Sequence, residues 1–309
     1  MAGKLTSKIA VLGAGSVGSA VAYNLILNPI AGDILLVDPK EDMRDAQVQD
    51  LSDATYHGAN TSRIRAGTHK EAGQCDIVVI TAGAKQKQGE SRTDLLGRNK
   101  AILKSAINDM KPFKENTVLL LVANPVDVLT YIAQQYSDLP PTQVIGTGTF
   151  LDSARLRGYI AEKTEIASSS IDAFVLGEHG ESQFVAWSQA TVAGVPLSKV
   201  VPEGLLDYEK IARDTKDKAA NIINVKGATN YGIGAVTASI CRSIIFDHRN
   251  IRPVSHWVDN LQCCLSLPAI LGREGVVRTI PLMLSESEQE ALENSAASMR
   301  RLIAEAEDA

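Results

Sequence analysis

"KIAVLGAGSVGSAVAYNLIL", residues 8–27, joins a short apolar run to a longer helical pattern through Gly13-Ala14-Gly15-Ser16-Val17-Gly18. A strand that passes through such a turn into a helix presents free N–H groups and the positive end of the helix dipole at one point, an arrangement suited to phosphate. Gly13 permits the tight turn, Gly15 lets the backbone approach a pyrophosphate, and Gly18 lets the helix pack closely on the strand. Taken alone, the pattern is also met in purely structural turns. A second signal lies twenty residues beyond Gly18, where the run "DILLVD" ends in Asp38. A carboxylate there accepts both hydroxyls of an adenosine ribose and repels a 2′-phosphate. The two signals together predict a dinucleotide site for NAD rather than NADP.

Working outward, residues 8–150 keep alternating short apolar runs with amphipathic patterns: "MRDAQVQDLSDA", "CDIVVITAG", "RNKAILKSAINDMK", "TVLLLVANP" and "DVLTYIAQQYS" follow in turn. Strands apolar on both faces, each followed by a helix, are what a parallel sheet covered by helices requires. The prediction is an α/β fold, a doubly wound parallel (Rossmann) sheet. At 309 residues with 45% hydrophobic content, the chain is long enough for two domains and a cleft between them.

The net charge of −5, with Lys and Arg dispersed, lacks the basic stripe that nucleic acid demands. No apolar run approaches the roughly 20 residues of a membrane span, and the first residues read as a strand rather than a signal peptide. Cys75, Cys241 and the adjacent Cys263 and Cys264 form no CxxC pattern and no metal-ligand set, so they read as buried, reduced thiols of a cytoplasmic protein, with no metal expected. Of five histidines, His57, His69, His248 and His256 stand in polar, unremarkable settings. His179 stands between an acid and a glycine in "LGEHGES", residues 176–182, where an ordinary turn would also account for it.

Five stretches carry a resemblance: "TAGAKQKQGESR" (81–92), "VANPVD" (122–127), "GTGTFLDSARLR" (146–157), "GEHGES" (177–182) and "KGATNYGIG" (226–234). In order and spacing, from Ile9 to about Ile303, they resemble the L-lactate and malate dehydrogenase superfamily, and within it most of all the L-lactate dehydrogenases. The resemblance implies an NAD-binding Rossmann domain over residues 1–145, including an active-site loop at 84–97. It also implies a catalytic α+β domain with antiparallel sheet over 146–309. The last pattern, "SESEQEALENSAASMRRLIAEAE", reads as an amphipathic packing helix with a capping serine and glutamates near its start.

Oxidising a 2-hydroxy acid removes a hydroxyl proton while a hydride leaves the same carbon, so the protein must supply a base, a carboxylate anchor and a dry pocket. The resemblance makes His179 the acid/base group, with Asp152 fixing its tautomer and favouring its protonated form. Arg155, three residues beyond Asp152 and on the same side of a helix, would grip the substrate carboxylate. Arg92, from the mobile loop, would polarise the carbonyl. Asn124, next to an Asn124–Pro125 bond that is cis in relatives, would touch the substrate or nicotinamide ribose, and Thr229 would wall the side-chain pocket. Ser16, Val17, Thr81, Ala82, Gly83, Val122 and Ile233 would complete the cofactor contacts, Ile233 beneath the nicotinamide ring.

Gln86 stands where malate dehydrogenases place an arginine for the second carboxylate of their substrate. A neutral amide leaves that carboxylate unpaired in a dry site, so pyruvate fits better than oxaloacetate, although Lys85 and Lys87 add positive potential. A malate or broader L-2-hydroxy-acid dehydrogenase stays the alternative, and a non-catalytic NAD-binding structural protein the more distant one. The resemblance implies a homotetramer, at least a homodimer. The short run before the first strand lacks the N-terminal arm of vertebrate members, which leaves the dimer as the firmer expectation. Arg157 with Asp172, where sugar-bisphosphate-activated relatives carry a histidine, predicts no such activation.

Overall fold

The opening stretch folds as β1 (Lys8–Leu12) and α1 (Ser16–Leu27). The rest of the nucleotide half follows as β2 (Asp33–Val37), α2 (Glu41–Asp53), β3 (Arg63–Ala66), α3 (His69–Ala72), β4 (Ile77–Ile80), α4 (Arg92–Met110), β5 (Val118–Leu121), α5 (Val126–Ser137) and β6 (Val144–Gly146). The computed structural model describes residues 6–56, 62–84 and 92–308. The six strands lie parallel in the order β3-β2-β1-β4-β5-β6, so the order reverses beside β1 and β4. Such a reversal opens a crevice at the carboxyl ends of the strands, where doubly wound sheets bind their ligands.

β4 (IVVI) and β5 (VLLL) are buried at every position, the pattern of strands covered on both faces. One core packs Leu103, Ile107, Leu129 and Met299 against one face; the other packs Val21, Leu25, Ile240 and Ile244 against the opposite face. β3 carries a weaker pattern than its neighbours in this half, because only Ile64 of its four residues is buried.

The second half contains α6 (Phe150–Thr164), β7 (Ile171–Asp172), β8 (Val175–Leu176), β9 (Phe184–Val185), β10 (Thr191–Val192), β11 (Val195–Pro196), α7 (Leu197–Val200), α8 (Tyr208–Lys226), α9 (Tyr231–Ile245), β12 (Asn250–Val258), β13 (Cys263–Gly272), β14 (Gly275–Thr279) and α10 (Glu286–Asp308). The antiparallel strands do not all form a separate sheet. β12, β13 and β14 extend the parallel sheet past β6, joined through the pairing of Ser255 with Gly146, while β7–β11 make two small sheets of their own. Ser285 and Glu288 close a reciprocal cap on α10: the Glu288 carboxylate accepts from the Ser285 amide at 3.0 Å, and the Ser285 hydroxyl accepts from the Glu288 amide at 3.4 Å.

The four cysteines are buried and unpaired, and burial pushes the thiols of Cys75, Cys241 and Cys263 up to about 12. His256, read as a polar-setting histidine, is instead buried in β12 with one ring nitrogen 2.8 Å from the Val254 carbonyl and the other 2.7 Å from Thr279 Oγ1. No helix among the described residues is long and apolar enough to cross a membrane.

Asp76, at the start of β4, ties distant segments together. It accepts from the Lys8 amide at 2.7 Å, from Lys114 Nζ at 2.6 Å and from Arg273 Nη2 at 2.6 Å. Burial works to raise its pKa, but these donors outweigh burial and hold it below the usual carboxylate range. The stability it contributes is therefore present above the unfolded-state pKa of about 4 and is lost as pH falls through the depressed folded value. Asp76→Asn is expected to cost about 2 kcal/mol, since Lys114 and Arg273 are partly solvated, and to lower Tm by about 5 °C in a thermal melt near neutral pH.

Candidate active site

The glycine turn tests whether a dinucleotide fits. Gly13 has φ +104, and a Cβ on Gly18 would collide with the Gly13 carbonyl oxygen, so neither tolerates a side chain. A Cβ on Gly15 would meet no protein atom within 4 Å, which leaves open the side where a pyrophosphate must approach. No side chain caps α1, so the amides of its first turn remain for a ligand. Asp38 reaches back to the turn: Oδ2 accepts from the Ala14 amide at 2.8 Å and Oδ1 from the Lys40 amide at 2.8 Å. The carboxylate just beyond β2 thus braces the glycine loop and has lone pairs left for ribose hydroxyls.

Thr81 follows β4 with its hydroxyl donating to the Leu12 carbonyl at 2.8 Å, beneath the same turn. Ala82 and Gly83 continue along the crevice, and Val122 is buried at the end of β5. Asn124 follows as an exposed residue beside a cis Asn124–Pro125 bond, as the resemblance implied. Ile233, half-buried on α9, joins the same apolar cluster as Val17 of α1. Thr229 lies half-buried between the C-cap Gly227 of α8 and the start of α9. Gln86, Lys85 and Lys87 lie outside the described residues, and so does the side chain of Arg92, which opens α4.

His179, Asp152 and Arg155 come together. The Asp152 carboxylate sits in the first turn of α6, where the helix dipole favours an anion, and both its oxygens are used. Oδ2 meets His179 Nδ1 at 2.8 Å and Oδ1 accepts from Arg155 Nη1 at 3.1 Å. With Nδ1 committed to a carboxylate, the imidazole keeps Nε2 free to take or give a proton. The His179 side chain is 26% exposed, whereas Asp152 is 3% exposed and Arg155 8%, so only the imidazole is reached easily from outside. Burial alone would lower the His179 pKa; the hydrogen bond and charge of Asp152, joined by the charge of Asp127, outweigh it and raise the pKa. Burial likewise opposes ionisation of Asp152, but His179 and Arg155 hold it below the usual carboxylate range.

The segment that carries His179 is fastened by its main chain. Gly177 and Ser266 exchange two backbone hydrogen bonds of 3.0 and 2.9 Å, the Glu178 amide donates to Ser295 Oγ at 2.8 Å, and the His179 amide donates to Asp127 Oδ2 at 2.7 Å. Asp127 and Ser295 were not singled out in the sequence. Asp127 stands within "VANPVD", but its partner is 52 residues away, and no local pattern announces such a bond. Ser295 shows that α10 does more than pack, since one of its residues holds the turn that carries His179. Asn99 was also missed: from α4 its Oδ1 accepts from the Ala84 amide at 2.7 Å and its Nδ2 donates to the Asn124 carbonyl at 3.0 Å, linking the end of β4 to the cis-proline turn.

Arg157 faces away from this set, donating Nε to the Ala173 carbonyl at 3.0 Å with its guanidinium over the Phe174 ring.

Known proteins resemble this chain over nearly its whole length. The family profile of the lactate/malate dehydrogenase NAD binding domain matches residues 7–146, and that of the lactate/malate dehydrogenase alpha/beta C-terminal domain matches residues 149–309. L-lactate dehydrogenase A of Rhizopus oryzae is 45% identical over 296 residues, covering 96% of this chain and 92% of its own. The L-lactate dehydrogenase of Kosmotoga olearia is 40% identical over 304 residues, covering 94% of this chain and 93% of its own. A crystal structure of a lactate dehydrogenase enzyme from a Medee basin deep-sea metagenome library superposes with a TM-score of 0.94 at 36% identity, covering 98% of this chain and 99% of that one. With both halves matched in order and the dinucleotide turn and histidine–carboxylate pair in place, the chain belongs to the lactate/malate dehydrogenase family.

Proposed function

We infer that the chain is an NAD-dependent L-lactate dehydrogenase that interconverts (S)-lactate and pyruvate, with His179 as the acid/base group. The observation that carries the reading is the Arg155–Asp152–His179 chain of bonds at 3.1 and 2.8 Å. NAD, when bound, supplies the hydride acceptor and, as NADH, the donor. In lactate oxidation the neutral imidazole takes the hydroxyl proton at Nε2; in pyruvate reduction the imidazolium returns it, with the charge held by Asp152. Arg155 anchors the substrate carboxylate through the guanidinium edge that Asp152 leaves unused, and Arg92 polarises the carbonyl. Asn124, Thr229 and Gln86 shape the pocket, Gln86 against a second carboxylate. Gly13, Gly15, Gly18 and the first-turn amides of α1 hold the pyrophosphate, Asp38 the adenosine ribose, and Ile233 the nicotinamide. We place the enzyme in the cytoplasm as a homotetramer built on a homodimer.

The test is NADH consumption by purified protein with pyruvate and with oxaloacetate. The expected kcat/KM ratio favours pyruvate by about 100-fold, the cost of leaving one carboxylate poorly paired in a dry pocket; a preference for oxaloacetate would overturn the substrate assignment. Because the pKa of His179 is raised, pyruvate reduction falls as pH rises through it, and lactate oxidation rises across the same interval.

A further inference from the structure

Asp127 is 2% exposed and lies in the first turn of α5, where a carboxylate ordinarily serves the amides of its own helix. Here Oδ2 is instead spent on the His179 amide, 52 residues away, at 2.7 Å. Oδ1 is buried with no well-formed hydrogen bond. A backbone carbonyl or a neutral side chain would accept one N–H without burying a charge, so a purely structural tether does not call for a carboxylate. Two facts set this carboxylate apart. It belongs to the nucleotide-binding half, whereas the residue it grips is in the catalytic half, and it lies three residues from Asn124 across the same cis-proline turn. The turn expected to touch nicotinamide ribose or substrate therefore also sets where the histidine stands.

We propose that Asp127 is a positioning residue for His179, gripping the main chain of that histidine from α5 while Asp152 grips its ring from α6. The proposal rests on His179 being the acid/base group. The two carboxylates approach the same residue from different elements, so the imidazole is fixed in both place and orientation, and a second buried negative charge favours its protonated form. The groups around Asp127 are Glu178 and His179 on the active-site turn, the Ser255 hydroxyl on β12 and the Cys263 and Cys264 thiols on β13, with Asp152 and Arg155 of α6 acting on the same histidine. Burial pushes the Asp127 carboxyl up to about 6, against the Ser255 hydroxyl and the His179 amide and charge, which favour its ionised form. The grip thus weakens as pH falls through that value.

The experiment compares Asp127→Asn with the native enzyme in kcat, KM for NADH, and the pH dependence of kcat/KM for pyruvate. The expected result is a roughly tenfold loss of kcat, an NADH KM within about twofold of native, and an alkaline limb about half a pH unit lower, because the imidazolium has lost one negative neighbour. An unmoved limb, with activity lost only in proportion to folded protein, overturns the proposal. Should Asp127→Asn fail to fold, Asp127→Ser decides: with the buried charge gone the alkaline limb should again fall by about half a pH unit, and an unmoved limb overturns the proposal. His179→Asn measured alongside keeps the two readings apart. An inactive His179→Asn beside an Asp127→Asn with native kcat and pH profile rejects this proposal alone; an active His179→Asn rejects both.

Discussion

His179→Asn is expected to lower kcat for pyruvate reduction by about 10³-fold while leaving the NADH dissociation constant within about twofold. The substitution keeps a polar side chain of similar volume but removes the one group in the set that exchanges protons near neutral pH. The turn should hold its shape, because the Gly177–Ser266 pair, the Glu178 amide on Ser295 and the His179 amide on Asp127 are all made by main chain. Asp152 keeps its bond to Arg155. The glycine turn between β1 and α1, proposed to hold the pyrophosphate, lies on other elements, so dinucleotide affinity has no reason to follow. Steady-state NADH oxidation and a fluorescence titration with NADH measure the two quantities. Turnover within tenfold of native would remove His179 from the mechanism; lost NADH binding would mean the turn had collapsed.

Gln86→Arg is expected to move the ratio of kcat/KM for oxaloacetate over pyruvate by about 10³-fold toward oxaloacetate, since pairing a desolvated carboxylate with a guanidinium is worth a few kcal/mol. Both ends of the ratio move. The second carboxylate of oxaloacetate gains a bidentate partner, and the methyl group of pyruvate meets a charged side chain left without one. The His179–Asp152–Arg155 arrangement lies on other elements and should be untouched, so kcat on the favoured substrate should stay near the native value for pyruvate. Parallel assays on the two substrates measure the swing. A variant still favouring pyruvate as strongly as the native protein would show that Gln86 does not set the specificity.

The nucleotide half was legible because its signals are local. Gly13, Gly15 and Gly18 act within one turn, Asp38 at the end of the next strand, and runs such as IVVI and VLLL announce strands buried on both faces. The edge strand β3, with a single buried residue, carries a weaker pattern, and β7–β11 are two-residue strands too short to show any period. The histidine–carboxylate pair was reached through motif order, not through spacing, because 27 residues separate Asp152 from His179 and nothing between them fixes a distance.

By itself the sequence determined the sheet type, the dinucleotide turn and the cap of α10, since each depends on neighbours within a turn or a strand. Only the tertiary structure decided that β12, β13 and β14 extend the parallel sheet, that His256 is a core residue, and that Asp127, Ser295 and Asn99 hold the main chain of His179, Glu178 and Ala84. The reason is one of range: a hydrogen bond between residues 52 or 117 positions apart leaves no periodicity in the chain, and the burial that makes it count exists only once the helices and the sheet have packed.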